Sequence, residues 1–231
     1  MYIILSVAIL LIFLFLIWAS ADISCRVYIK SLCKKETSEL LISLTFDDGP
    51  DPKHTPLVLE VLRRYNVKAT FFLIGKEAEK YPDLVKQIVD EGHTIGSHTY
   101  SHACWNTIKS VKAYIEELRL ASELLRSITG FRVRMFRPPF GVTNPLIARS
   151  VNYMNYHVIG WSIRSYDTVS WRHPEKIIKK ILPRVSGGDI ILLHDRCINS
   201  EVLTDRLINE LQYRGFSFTT VDKLFLIEAY E

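Results

Sequence analysis

Short apolar runs alternate with longer amphipathic stretches from residue 40 to the end of the chain. The short runs have the length and the β-branched and aromatic content of buried strands, and they lie at residues 40–46, 69–74, 94–96, 133–136, 156–161, 189–193 and 217–220. The stretches between them carry apolar residues at helical spacing, which predicts helices at residues 56–65, 81–91, 111–129, 145–154, 174–185 and 200–214. This alternation predicts an α/β fold whose parallel sheet is closed, or nearly closed, into a barrel.

The first 21 residues follow a different pattern. They contain no charged residue, and residues 3–18 are almost wholly aliphatic or aromatic. A run of this length can span a bilayer, so residues 1–21 are predicted to be a transmembrane anchor or a signal peptide, with membrane contact through residues 2–20. Ala19-Ser20-Ala21 has the small-x-small form of a cleavage site. The length of the run and the lack of a basic flank before it favour an uncleaved anchor.

The rest of the chain is predicted to contain one domain. Residues 22–39 are interpreted as a polar neck and residues 40–231 as the domain, since no linker or low-complexity tract divides them. The basic residues of the neck follow the apolar run, and the positive-inside bias by itself would hold the domain in the cytoplasm. They are Arg26, Lys30, Lys34 and Lys35.

Composition narrows the class of protein. The chain has 231 residues, of which 48% are hydrophobic, enough for one sizeable core. Its net charge is +4, and its Lys and Arg residues are interleaved with Asp and Glu, so no nucleic-acid partner is predicted. The four cysteines include no Cys-x-x-Cys pair, which argues against a structural zinc knot. Nothing in the sequence indicates a protein partner.

Ionisable residues follow five of the predicted strands. In α/β folds of this kind, ligands bind at the carboxyl ends of the strands, so these residues are expected to share one face. Packing needs alone do not explain such a convergence. The residues are Asp47 and Asp48, then His98 and His102, then Arg137, Asp167 and His194.

Two histidines and one aspartate of this set have the composition of an open metal site. His98 and His102 are four residues apart, so on a helical turn both rings would project to one side. With Asp48 they form a His₂Asp set that suits Zn²⁺, and also Co²⁺ or Ni²⁺. The cation would offset the repulsion between Asp48 and the adjacent Asp47. The alternative interpretation is an ordinary solvated strand-to-helix turn at residues 47–49 and two surface or capping histidines.

Four segments resemble a known family. "TFDDGP", "HTYSH", "RPPFG" and "LLHD", in this order, are similar to the successive motifs of the polysaccharide deacetylases with a NodB-type domain, carbohydrate esterase family 4. The resemblance covers residues 40–225. It implies a distorted (β/α) barrel of seven or eight strands and metal-dependent removal of N-acetyl or O-acetyl groups from peptidoglycan, chitin or acetylated xylan. It also implies a place in the cell envelope, membrane-anchored or secreted, with the domain outside the cytoplasm.

The resemblance also assigns roles. Asp47 would be the catalytic base, oriented by Arg137, and Asp48, His98 and His102 would hold one divalent metal ion. His194 would be the general acid, with a pKa raised by Asp167, so that base and acid together predict a bell-shaped pH profile. The backbone amide of Phe140 would bind the oxyanion, and Leu192 would line the acetyl pocket. Trp161, at the end of a predicted strand, is either a wall of that pocket or part of the core. Tyr100, Trp105 and Trp171 are candidates for sugar stacking or for packing.

The sequence departs from the family pattern at two places. Phe140 replaces a usual Tyr, and a fourth motif of the form D-x-x-D-W has Arg164, Asp167 and Thr168 at its key positions. The predicted substrate is a glycan with N-acetylglucosamine units, and peptidoglycan is favoured over a chitin-like oligomer. An O-acetyl xylan esterase and a glycan-binding pseudoenzyme remain alternatives. A phosphoester hydrolase is disfavoured, because no glycine-rich phosphate loop is present.

Overall fold

The computed structural model describes residues 2–169 and 173–231. Within these residues the strands are β1 (Leu41–Asp47), β2 (Thr70–Leu73), β3 (Thr94–Ser97), β4 (Met135–Phe136), β5 (His157–Val158), β6 (Ile163–Arg164), β7 (Ile190–His194) and β8 (Ser217–Phe218). The helices are α1 (Tyr2–Ala21), α2 (Thr55–Arg64), α3 (Gly75–Lys80), α4 (Pro82–Asp90), α5 (Val111–Thr129), α6 (Pro145–Tyr153), α7 (Pro174–Ile181), α8 (Ser200–Tyr213) and α9 (Val221–Phe225).

The strands form one curled, parallel sheet. Its order is β5-β4-β3-β2-β1-β7-β6, and β8 pairs with the first residues of β1. β5 and β6 are the two ends of this path, so the sheet is a half-barrel, which confirms the predicted distorted α/β barrel. β6 was not predicted as a separate strand, because two residues are too few to show a period.

Registration brings the strand ends to one edge of the sheet. Asp47 at the end of β1 lies opposite Phe72 of β2 and His194 of β7. On the next strands, Ser97 pairs with Phe136. Because all these pairs are parallel, the segments that follow them leave the sheet on the same side.

Alternation along β1 gives the strand one apolar and one polar face. Ile42, Leu44 and Phe46 belong to the main apolar cluster, together with side chains of α2 and α8. Burying a side chain of this size stabilises the fold by about 1.5–3 kcal/mol. The alternate residues Ser43 and Thr45 are fully buried on the inner face of the sheet, in line with Asp47.

Both ends of helix α5 are set by residues that favour helix caps. The Oγ of Ser110 accepts a hydrogen bond from the backbone N–H of Ala113 (3.1 Å) at the start of α5. At its other end, Gly130 has a φ of 81°, the left-handed conformation that glycine adopts without strain. The predicted helix at residues 111–129, with its stop at Gly130, is therefore confirmed.

The N-terminal helix is long and apolar enough to cross a membrane. Of its side chains only that of Ala19 is buried. Its last turn is attached to the loop that precedes α6. The backbone N–H of Thr143 donates to the carbonyl of Ser20 (2.9 Å), and the Thr143 hydroxyl donates to the carbonyl of Ala19 (3.1 Å).

The segment between α1 and β1 packs on the sheet edge. Leu32 donates from its backbone N–H to Val158 (2.8 Å) and accepts from Gly160 (2.9 Å), so it lies beside β5. Ile23, Ile29 and Cys33 are buried. The boundary at residue 39 stays a prediction, and the segment is less polar in its contacts than the term neck implies.

Candidate active site

The two carboxylates at the end of β1 reach the same cleft because the chain turns sharply between β1 and α2. Asp47 ends the strand, and Asp48 has a left-handed φ of 73°. Gly49 follows, and a Cβ atom there would lie 2.7 Å from the Oδ1 atom of Asp195. Any larger residue at this position would require the buried Asp195 side chain to shift. Both carboxylates are buried.

Asp48, His98 and His102 form a three-residue cluster suited to a metal ion. The Oδ1 atom of Asp48 lies 3.4 Å from the Nε2 atom of His98 and 3.3 Å from the Nε2 atom of His102. One donor atom from each residue fits within 4.8 Å of the others. The Nδ1 atom of His98 lies 2.7 Å from the carbonyl oxygen of Arg137, which can only accept, so this nitrogen carries the proton and Nε2 is left for a ligand.

The two histidines are not on a helical turn. His98 to His102 form a bent loop in which Thr99 and His102 have φ values of 66° and 54°. The Thr99 hydroxyl accepts a hydrogen bond from the backbone N–H of His102 (3.1 Å), which closes the bend. The rings still lie side by side, with centroids 4.9 Å apart. The spacing of four was thus a correct signal, although its helical explanation was wrong.

Electrostatics favour the ligand forms of this cluster. Burial would raise the pKa of Asp48, but the hydrogen bond and charge of His98, with His194 and His102, hold it below its ordinary value. Burial, together with the charge of His98, lowers the pKa of His102 to about 4. Ionised carboxylate and neutral imidazole are the forms that bind a divalent cation, so the donor set fits one near neutral pH.

Asp47 is held by a fully buried arginine. The Nη1 atom of Arg137 donates to the Oδ1 atom of Asp47 (2.7 Å) and to the hydroxyl of Thr45 (2.8 Å). The remaining nitrogens of Arg137 donate to the carbonyls of Ile159 (3.2 Å) and Gly160 (2.7 Å). Its guanidinium also lies over the Phe72 ring, at 4.2 Å from the ring centroid. This arrangement fixes one oxygen of Asp47, while Oδ2 faces the His98 ring at 3.9 Å.

His194 is paired with Asp167. Its Nδ1 atom donates to the Oδ1 atom of Asp167 (2.7 Å), and its backbone N–H donates to Oδ2 (2.8 Å). Burial by itself would lower the pKa of His194. The hydrogen bond and charge of Asp167, with Asp47 and Asp48, outweigh burial and raise that pKa. The pairing predicted from the sequence is therefore present in the structure, and Nε2 is left for the cleft.

These groups meet in a cleft of about 190 Å³. Arg137 and Asp167 lie behind Asp47 and His194, while the other predicted site residues line the cleft directly. The Phe140 ring packs against His102, with centroids 4.7 Å apart, and Gly141 fits closely against Trp161. The lining residues are Asp47, Asp48, His98, His102, Phe140, Gly141, Trp161, Arg164, Thr168, Leu192, His194 and Arg196.

Two charged residues of the site were missed by sequence reasoning. The Nη2 atom of Arg196 lies 2.9 Å from the Oδ2 atom of Asp48, so each oxygen of this carboxylate has its own partner. Asp195, the last letter of "LLHD", is fully buried and accepts a hydrogen bond from the Thr55 hydroxyl (2.5 Å). Burial raises the pKa of Asp195 to about 7. Its place in the motif was the available signal.

The three aromatic residues considered for sugar stacking have different positions relative to the cleft. The Tyr100 hydroxyl donates to Glu79 (2.8 Å), and Tyr100 lies outside the lining of the cleft. Trp105 is exposed on the turn that follows β3. Trp171 lies outside the described residues.

Comparison with known proteins decides the family. A family model for polysaccharide deacetylases matches residues 34–159, more than half of the chain. The chain belongs to the polysaccharide deacetylase family. The resemblance seen in the four motifs is thereby confirmed, and with it the class of hydrolase.

Individual relatives support the same assignment. The peptidoglycan-N-acetylglucosamine deacetylase of Bacillus cereus is 35% identical over 190 residues, which are 80% of this deacetylase and 68% of the relative. The peptidoglycan-N-acetylglucosamine deacetylase PgdA of Listeria monocytogenes is 34% identical over 186 residues, which are 80% of this chain but only 38% of the relative. The crystal structure of the Bc1960 peptidoglycan N-acetylglucosamine deacetylase superposes with a TM-score of 0.81 at 31% identity, covering 86% of this chain and 94% of that one.

Proposed function

We propose that this deacetylase hydrolyses the N-acetyl groups of N-acetylglucosamine units in peptidoglycan. The proposal rests on two ion pairs that lie at one cleft beside the His₂Asp cluster. One joins Asp47 to Arg137, and the other joins His194 to Asp167. A carboxylate that accepts a proton and a histidine that donates one are the two groups an amide hydrolysis needs.

The metal is proposed to be held by Asp48, His98 and His102. Zn²⁺ suits this donor set best, and Co²⁺ and Ni²⁺ also suit it. When bound, such an ion supplies Lewis acidity that activates water and polarises the acetyl carbonyl.

Asp47 is the proposed base. Its Oδ1 atom is fixed by Arg137, so Oδ2 is the free position that faces the His98 side of the cleft. Oδ2 accepts a proton from the water as the water oxygen forms its bond to the acetyl carbon. The cationic guanidinium beside the carboxylate keeps the group oriented through this step.

His194 is the proposed acid. Its Nε2 proton passes to the amide nitrogen as the carbon–nitrogen bond breaks, because an amine leaves only when it is protonated. Asp167 stabilises the charged ring before that transfer and holds its orientation. The products are acetate and a glucosamine unit.

The remaining walls of the cleft fit an acetyl group. The backbone N–H of Phe140 is the proposed donor to the developing oxyanion. Trp161 and Leu192 provide apolar surface for the methyl group, and both line the cleft. An O-acetyl xylan esterase would use the same residues. The similarity to N-acetylglucosamine deacetylases favours the N-acetyl substrate.

The site of action is proposed to be the cell envelope, outside the cytoplasm. The relatives are peptidoglycan deacetylases, and peptidoglycan lies outside the cytoplasm. In addition, α1 has the length and composition of a membrane anchor, with contact through residues 2–20.

The test uses the full chain, stripped with a chelator and reloaded with Zn²⁺ or Co²⁺. Acetate release is measured side by side from peptidoglycan, N-acetylglucosamine oligomers and acetylated xylan. We expect metal-restored release that is fastest from peptidoglycan. Release from xylan alone would replace the proposal with the esterase. A chain that binds metal stoichiometrically and releases no acetate would instead be the pseudoenzyme, in spite of Asp47 and His194.

A further inference from the structure

One loop of the cleft is fastened to the membrane-length helix. Phe140 and Gly141 line the cleft, and the next two residues contact α1. Thr143 makes the two hydrogen bonds to the carbonyls of Ala19 and Ser20, and Val142 lines a groove with Phe13, Leu16 and Ile17 of the helix. The opening of the cleft therefore lies at the C-terminal end of α1, where a membrane-spanning helix emerges from the bilayer.

The same face carries exposed apolar side chains on four of its loops. Trp105 and Ile108 follow β3, Phe140 follows β4, Tyr166 follows β6 and Ile198 follows β7. Trp105 is 73% exposed and Ile198 is 79% exposed. Large apolar residues grouped in this way mark a surface that contacts a membrane or a partner, and Trp and Tyr are enriched at membrane–water interfaces. Continuity with α1 favours the membrane.

A second cavity joins the cleft to the end of the helix. It has a volume of about 360 Å³ and shares Trp161 and Arg164 with the cleft. One wall consists of residues 21–24, directly after the apolar run. Its other lining residues are Ser162, Tyr166 and Arg184. Because Trp161 and Arg164 line both cavities, a ligand longer than one sugar that passes Trp161 would reach the residues that follow α1.

The charges of the second cavity favour an anion. Arg164 and Arg184 are exposed, and the Arg164 guanidinium lies over the rings of Trp161 (5.8 Å) and Tyr166 (5.0 Å). The acidic residue of the lining is Asp22, whose Oδ1 atom already accepts hydrogen bonds from the backbone N–H (2.8 Å) and hydroxyl (2.6 Å) of Ser24. Two guanidinium groups beside a membrane surface suit a phosphate oxygen.

We propose that the catalytic face is turned towards the membrane and that the second cavity binds the phosphate link of an acetylated amino-sugar glycan still attached to a membrane lipid. This inference rests on the proposed deacetylase function and on an uncleaved α1. The glycan then presents its acetamido group to the cleft, and its phosphate contacts Arg184 and Arg164.

The test uses the full chain in phospholipid vesicles. Acetate release is compared for one N-acetylglucosamine-containing disaccharide in three forms. The first is attached through a diphosphate to a polyprenyl lipid in the same vesicles. The other two are soluble, one carrying a phosphate group on the sugar and one carrying none. We expect kcat/KM for the lipid-linked form to exceed both soluble forms by at least about tenfold, because a shared membrane raises the effective concentration.

Variants separate the cavity from mere co-localisation. Arg184→Gln is expected to raise KM for the lipid-linked form about tenfold, which reduces its advantage in kcat/KM by the same factor. The reason is that a charge-assisted hydrogen bond to phosphate is lost. The matched control is Arg149→Gln, an exposed arginine of α6 that lines neither cavity. The control should keep the full advantage.

Three results would overturn the inference: equal kcat/KM for lipid-linked and soluble forms, a soluble phosphate form that matches the lipid-linked one, or an advantage that survives in Arg184→Gln. The proposed function survives each of them, because acetate is still released. Release from none of the three forms would contradict the proposed function and this inference together.

Discussion

The cleft contains two carboxylate–cation pairs with the same closest distance, 2.7 Å, and different surroundings. Arg137 is fully buried and uses all three of its nitrogens in hydrogen bonds to protein. His194 uses one ring nitrogen for Asp167 and lines the cleft with the other side. An arginine does not release its proton in proteins, whereas a histidine does so near neutral pH. One pair is therefore permanent and suits a base, and the other is titratable and suits an acid.

Removing the permanent pair should have the largest effect on stability. Arg137→Met leaves the buried Asp47 carboxylate without its cation, which we expect to lower the free energy of unfolding by about 3–5 kcal/mol. Chemical denaturation measures this change. The matched control is Arg119→Met on α5, which breaks an exposed ion-pair cluster with Glu116 and Glu123 and should leave the midpoint nearly unchanged. If both variants lost the same free energy of unfolding, the buried position of Arg137 would not explain its contribution to stability.

Removing the titratable member should affect turnover more than structure. His194→Gln is expected to reduce kcat by about 10²–10⁴-fold, the usual contribution of an acid–base group, while the bound metal content stays at the wild-type level. Acetate release and metal analysis are measured on the same sample. His173→Gln, at an exposed residue before α7, serves as the control and should retain both properties. A His194→Gln enzyme with wild-type kcat would remove this histidine from the mechanism.

The pH profile should separate the two pairs further. Asp167 raises the pKa of His194, so Asp167→Asn should lower that pKa. As an acid, His194 is active while protonated, and activity falls as pH rises through its pKa. The basic limb of the profile should therefore move to lower pH in Asp167→Asn, and the acidic limb, which reports the base, should stay in place. A profile with both limbs unmoved would show that Asp167 only supports the fold.

The smallest effect is expected at Phe140. Phe140→Tyr restores the residue usual in the family but leaves the backbone N–H, the proposed oxyanion donor, unchanged. We expect kcat/KM to stay within about threefold of wild type, which corresponds to about 0.65 kcal/mol in the barrier. A larger gain would indicate that a side-chain hydroxyl at this position takes part in substrate binding.

Sequence patterns predicted the site better than the edges of the fold. The long apolar run of β1 and the capped helix α5 carry clear periods, and the motif residues Asp48, His98 and His102 do meet. β6 escaped because a two-residue strand has no period of its own. The two histidines were predicted to lie together because of their helical spacing, but they lie on a bent loop. Their proximity was therefore predicted correctly from an incorrect local structure.

Contacts between distant segments were beyond sequence reasoning. Arg196 pairs with Asp48 across 148 positions of the chain, and nothing in the local pattern of residue 196 indicates that partner. The attachment of Thr143 to the end of α1 is of the same kind. Such contacts depend on how the loops of the half-barrel lie against one another, which short-range periodicity does not encode.

The base and the metal ligands are proposed to be separate groups, and two variants distinguish them. Bound metal and acetate release are measured for Asp47→Asn and for His98→Ala. We expect Asp47→Asn to keep stoichiometric metal and lose turnover, whereas His98→Ala should lose both together. Full turnover in metal-loaded Asp47→Asn would contradict the account, because the proton would then be taken by another group.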